Sequence, residues 1–73
     1  MVEVGGNYTH FKEGKRYKVL YIAKNSETLE DMVIYQPQYG NRDIWVRPLS
    51  MWEESIPQDK ITKYGQSVRF KKE

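Results

Sequence analysis

Residues 30–49 read EDMVIYQPQYGNRDIWVRPL and bring Tyr35, Gln36, Tyr39, Arg42, Trp45 and Arg47 close together. Rings on a β surface can stack nucleic-acid bases or line a groove for an extended or proline-rich peptide. A guanidinium among them can hold a phosphate. Arg47 stands directly before Pro48, whose fixed φ constrains the chain after it and so helps to aim the side chain. The plain structural alternative places Tyr35 and Trp45 in the core, with Arg47 stacked over an aromatic ring.

Other chemistry is sparse. His10 is the only histidine, and there is no cysteine. Acid–base or nucleophilic work needs a partner group within hydrogen-bond reach, and no serine elbow offers one. His10 with Glu27 or Glu30 could serve a small-ligand binder or an enzyme only if those side chains converge on a pocket. Ser26, Glu27, Glu30 and Asp31 make an acidic loop without the Asp-x-Asp-x-Asp-Gly pattern of a calcium site. No catalytic residue, metal ligand or cofactor is assigned.

The elements that must position these groups are short. Residues 15–24, KRYKVLYIAK, alternate Tyr17, Val19, Tyr21 and Ala23 on one face with Lys18, Leu20, Ile22 and Lys24 on the other. Both faces are apolar at the centre, which predicts a strand covered on both sides or set in a closed barrel. Residues 32–36 and 44–47 flank Tyr39, Gly40 and Asn41 as a hairpin. With Gly40 and Asn41 at the turn, Tyr39 faces Arg42, Pro37 faces Ile44, Gln36 faces Trp45, Tyr35 faces Val46 and Ile34 faces Arg47. Val33, Tyr35, Pro37, Ile44 and Val46 then form the core face. Ile34, Gln36, Trp45 and Arg47 form the wet one. A one-residue change in loop length would exchange these partners.

Around them, residues 1–7 carry Gly5 and Gly6 and are expected to be loose. A first strand falls near residues 8–12. Glu13-Gly14 makes a tight turn in which glycine supplies a positive φ. Asn25 to Glu30 is a polar connector in which Ser26 and Thr28 suit a turn and Leu29 plugs a barrel end. Pro48 ends strand pairing. Ser50 and Glu53 have the spacing of a capping box, so one helical turn is expected, with Met51 or Trp52 folded over the core and Pro57 stopping it. Residues 58–66 are polar, with Ile61 and Tyr64 as anchors. Residues 67–71 alternate as a last strand. The sum is a mainly β fold: a small SH3-like antiparallel barrel of four to five strands with one short helical turn. An OB-like barrel is the lesser alternative.

Seventy-three residues allow one domain, with an ordered core over about 8–71 and a small interior that leans on its ten aromatic residues. The net charge of +2 is far below the basic excess of a dedicated polyanion binder. No signal peptide or apolar run of membrane-spanning length is visible. Together with the missing cysteines, this suggests a soluble cytoplasmic protein.

A run of motifs also resembles a known family. They are Tyr8-Thr9-His10-Phe11-Lys12, Gly14-Lys15-x-Tyr17-x-Val19, Ala23-x-x-Ser26-Glu27-Thr28-Leu29-Glu30, Val33-x-Tyr35-Gln36, Tyr39-Gly40 and Trp45-Val46-Arg47-Pro48-Leu49. In this order they resemble the small bacterial domains grouped as domain of unknown function 1653, over residues 8–52 with an echo at Arg69-Phe70. Trp52 stands where the family pattern has phenylalanine, and the Lys12-Glu13-Gly14 turn is one residue longer. The resemblance implies a mainly β domain, found alone or attached to other proteins, and brings no activity or site residues. The functional expectation is a non-enzymatic binding module whose aromatic and Arg face takes a protein or peptide. Single-stranded nucleic acid or a nucleotide on the same face comes second. The His10 ligand or enzyme site and self-association through an apolar face follow.

Overall fold

The β-branched and aromatic run RYKVLYIAK forms the nine-residue strand β2 (Arg16–Lys24). In the computed structural model, which describes residues 2–12, 14–54, 56–66 and 68–73, β2 is the centre of one sheet. β1 (Asn7–His10) and β3 (Asp31–Pro37) pair with it antiparallel on either side. β4 (Trp45–Pro48) adds outside β3, and β5 (Phe70–Lys72) adds outside β1. The order is β4-β3-β2-β1-β5. The fold is mainly β, as expected, but the SH3-like barrel is corrected to an open sheet. Closure needs edge strands long and tilted enough to meet, and these edges have four and three residues.

One irregularity decides which face of β2 is packed. Val19 pairs with Tyr35, but Tyr21 pairs with Ile34, so Leu20 is an extra, bulged residue. Val19 is fully buried while Tyr21 is 66% exposed. The strict alternation expected along β2 therefore breaks at Leu20. One face of the sheet is packed, and the other presents Lys18, Tyr21 and Val46 to solvent.

The packed face is aromatic. Tyr8, Val19, Val33, Tyr35, Trp52 and Phe70 form the core, with Val2, Tyr17 and Leu49 against it. Pro48 ends β4 and starts α1 (Leu49–Trp52), a single turn that lays Trp52 over the sheet. The indole stacks on Phe70 at 3.8 Å, and Tyr8 and Tyr35 meet it edge-on. Such ring pairs contribute about 0.5–1.5 kcal/mol each beyond area burial. Trp52, not Met51, is the folded-over residue, since Met51 is 47% exposed. The expected capping box does not form. Pro48 is the cap, no side chain caps the turn, and Ser50 lies inside it.

A second helix, α2 (Gln58–Tyr64), occupies the stretch expected to be irregular. It starts after Pro57 and ends at Gly65, whose φ of 71° closes the C-terminus through its N–H to the Ile61 carbonyl. Tyr64 anchors it edge-on against the buried Phe11. Residues 3–6, expected to be loose, are tied down instead. Gly5 N–H donates to Val19 O, Val19 N–H to Gly6 O, and Glu3 N–H to the Tyr8 hydroxyl. Gly14 adopts the expected positive φ, with its N–H on the His10 carbonyl. Met1, Glu13 and Ser67 lie outside the described residues. The described part of the last strand is Phe70–Lys72. Leu29, expected to plug an end, is 71% exposed.

Candidate functional site

The β3–β4 connection is a seven-residue loop, 38–44, in place of the expected two-residue turn. Gly40 and Arg42 take positive φ of 63° and 57°, and Gln36 Nε2 donates to the Arg42 carbonyl at 2.7 Å. The longer loop shifts the register by one. Tyr35 faces Trp45, Ile34 faces Val46 and Val33 faces Arg47. Directly opposed residues share a face, so Trp45 and Arg47 stand on the packed side, and Val46 on the open side. The expected grouping of Val46 with the core and of Trp45 and Arg47 with Gln36 is corrected. Ile44, also expected in the core, is 64% exposed.

The shift assembles a site. Tyr17, Tyr35, Pro37, Tyr39, Trp45 and Arg47 line one depression of about 330 Å³ beside the core. Val19 and Tyr17 on β2 register with Tyr35 and Pro37 on β3, and Tyr35 registers with Trp45 on β4. Tyr35 is buried beneath, while Trp45 stays 54% exposed. The Tyr17 and Tyr39 hydroxyls share a hydrogen bond of 2.6 Å, and their rings meet edge-on at 5.7 Å. Lys15 Nζ sits 4.4 Å from the Tyr39 ring centre, and the Arg47 guanidinium lies 5.2 Å from the Phe70 ring centre. Both cations rest on rings that hold them beside the depression. This partly meets the plain alternative: Tyr35 is core and Arg47 is clamped on an aromatic ring, yet Trp45 and Tyr39 remain accessible.

Tyr17 is not among the expected binding residues. Its alternation along β2 was the available signal, but only the register with Pro37 shows that it borders the loop. Of the expected set, Tyr35, Tyr39, Trp45 and Arg47 converge. Gln36 faces the open side and fastens the loop. Arg42 lines an adjoining hollow of about 200 Å³ with Tyr39, Asn41, Asp43 and Trp45.

His10 does not meet Glu27 or Glu30. It packs against Phe11, Phe70 and Tyr17, and its Nδ1 accepts from Lys12 N–H at 3.3 Å. The two glutamates lie in the loop beyond the far end of β2, roughly 25 Å away at ~3.3 Å per strand residue. There Asn25 Oδ1 accepts from the N–H groups of Glu27 and Thr28, and Thr28 Oγ1 accepts from Glu30 N–H. No group of three His, Asp or Glu among the described residues could hold a metal ion. No helix among them is long and apolar enough to cross a membrane.

A third depression, of about 300 Å³, lies over Trp52 and Phe70 and is bordered by Val2, Tyr8, Glu53, Val68 and Lys72. Its floor is made of the core rings Tyr8, Trp52 and Phe70, already engaged in ring packing.

The chain is thus a small, open-sheet antiparallel β domain with an aromatic depression at one corner. A family model described as "Protein of unknown function (DUF1653)" matches residues 6–72, and the chain belongs to that family. The family resemblance seen in the sequence is therefore confirmed. No curated protein matches the chain, and no solved structure does.

Proposed function

We propose that this domain is a non-enzymatic binding module that takes an extended peptide segment in the depression between Tyr39 and Trp45. The single observation behind this reading is the convergence of Tyr17, Tyr35, Pro37, Tyr39, Trp45 and Arg47 on one hollow. Ring-lined grooves suit extended, proline-containing segments, whose preformed backbone loses little entropy on docking. The cations at the rim, Arg47 and Lys15, favour a segment that also carries a carboxylate. The net charge of +2 supports a peptide ahead of single-stranded nucleic acid, which would call for a broader basic track. The absence of cysteine supports a reducing compartment such as the cytoplasm.

The test is an amide and indole NMR titration with a proline-containing acidic peptide and, in parallel, an oligothymidylate. Peptide-induced shifts are expected at the Trp45 indole and the Tyr39 amide, with Trp45→Ala weakening affinity at least about tenfold. Shifts produced by the oligonucleotide alone, falling steeply as salt rises, would transfer the site to nucleic acid. Saturable binding unchanged in Trp45→Ala would remove this corner as the site.

A further inference from the structure

The two edges of the sheet are built differently. β5 is three residues long, carries Lys71 and Lys72, and is followed by a hydrogen bond from Glu73 N–H to Asn7 O. Short strands and lysines are how edges avoid pairing with other chains. β4 is also short, at four residues, and carries Arg47 and Pro48, but its apolar side chains are open. Trp45 and Val46 are 54% and 59% exposed, and Ile44 just before them is 64% exposed.

The alternation of backbone groups shows what this edge offers. Gln38 N–H donates to Arg16 O, so even-numbered residues of β3 turn their backbone groups toward β2 and odd-numbered ones toward β4. Tyr35–Trp45 and Val33–Arg47 are therefore the hydrogen-bonded pairs of the β3–β4 ladder. Val46, between them, turns its N–H and C=O groups to the unpaired side.

We propose that a second copy of this chain occupies the β4 edge, antiparallel about a two-fold axis at Val46. The edge is complementary to itself in that register. Val46 exchanges both of its backbone hydrogen bonds with Val46 of the second copy. The pairing ends at Pro48, which has no N–H and whose carbonyl, as the cap of α1, takes that helix's first hydrogen bond. Trp45 falls opposite Arg47 of the second copy, and Arg47 opposite its Trp45, so each side matches an indole with a guanidinium. On the open face, the row Tyr21, Ile34, Val46 given by the registers continues into the same row of the second copy. A like pairing of charges is nowhere required. The union also brings the two aromatic depressions side by side, since Trp45 and Arg47 border each of them. A domain of this size gains from such burial, because its own core is small. The inference stands apart from the peptide reading: pairing needs no ligand, and a monomer could still bind one.

Sedimentation equilibrium of the full chain up to about 1 mM tests it. The mass is expected to rise with concentration from 8.7 kDa toward twice that value. Val46→Lys, which sets a charge against its own copy on the axis, is expected to weaken association at least about tenfold while keeping the circular dichroism of the parent. A constant 8.7 kDa over the whole range overturns the proposal, as does association that Val46→Lys leaves intact. Should Val46→Lys fail to fold, Val46→Cys decides. The chain has no cysteine of its own, and opposed residues in a hydrogen-bonded antiparallel pair lie about 5.5 Å apart, within disulfide range. Mild oxidation is then expected to link Val46→Cys into a dimer and leave Thr28→Cys monomeric. Equal linking of the two variants overturns the register.

Discussion

At the scale of single residues, Leu29 combines exposure with a left-handed backbone. It is 71% exposed and adopts a φ of 63°, a conformation that suits glycine or asparagine and disfavours a branched apolar side chain. Neither solvent nor backbone explains a leucine there. Leu29→Gly is expected to leave the fold intact and raise stability by about 0.5–1 kcal/mol, because the relieved φ outweighs the added freedom of the unfolded chain. Urea denaturation followed by circular dichroism measures it, and a loss of stability would show that Leu29 makes packing contacts in solution. Trp45 and Trp52 make the opposite contrast. They are the same residue type, one 54% exposed at the rim of the depression and one 2% exposed in the core. Nothing in composition separates them. What separates them is that Trp52 follows the turn forced by Pro48, while Trp45 lies on an edge strand with no neighbour beyond it.

At the scale of elements, the N-terminal arm and β5 are joined by an ion pair between Glu3 and Lys72. The hydrogen bond and charge of Lys72 hold the Glu3 carboxyl below its ordinary 4.5, and Glu3 holds the Lys72 ammonium above its ordinary 10.5. The sign follows from linkage. The contribution of Glu3 is complete above 4.5 and is lost as pH falls through its lowered value. That of Lys72 is complete below 10.5 and is lost as pH rises through its raised one. Both groups sit at the surface, so salt screens the pair. Acidification through that lowered value is expected to loosen the arm while the rest of the sheet holds. The amide signals of Gly5 and Gly6 report it by NMR, and Glu3→Gln should remove the acid-side change. An identical acid response in Glu3→Gln would assign the loosening to another carboxylate.

At the scale of the whole molecule, β1, β2, β3 and β5 share one aromatic core with Trp52, and the sheet has one packed face. The described residues offer no second core that could melt separately. Unfolding is therefore expected to be a single cooperative transition, with indole fluorescence and far-ultraviolet circular dichroism coincident in urea. Separated midpoints would show that the α2 region or the arm unfolds on its own. The same architecture explains why the aromatic depression sits at a corner. The core ends where β3 and β4 diverge into the 38–44 loop, and the rings that continue beyond it line a hollow instead of an interior.

Much of this could be read from residue types alone. The β-branched and aromatic runs determined β2, β3 and β4, Pro48 determined where β4 stops, Gly14 determined its turn, and the ordered motifs determined the family. These are local effects: each depends on the φ preferences and side-chain period of a few neighbouring residues. α2 escaped because a seven-residue helix with two apolar anchors has almost no periodicity, although Pro57 and Gly65 marked its ends. The closed barrel, the faces of Trp45 and Arg47, and the place of Tyr17 could not be settled locally. One bulged residue at Leu20 and a loop of seven in place of two reassign whole strand faces, because the side-chain period of a strand is two. Only the pairing of strands distant in sequence fixes that count. The sequence supplied the rings and the guanidinium, and the tertiary register decided that they meet.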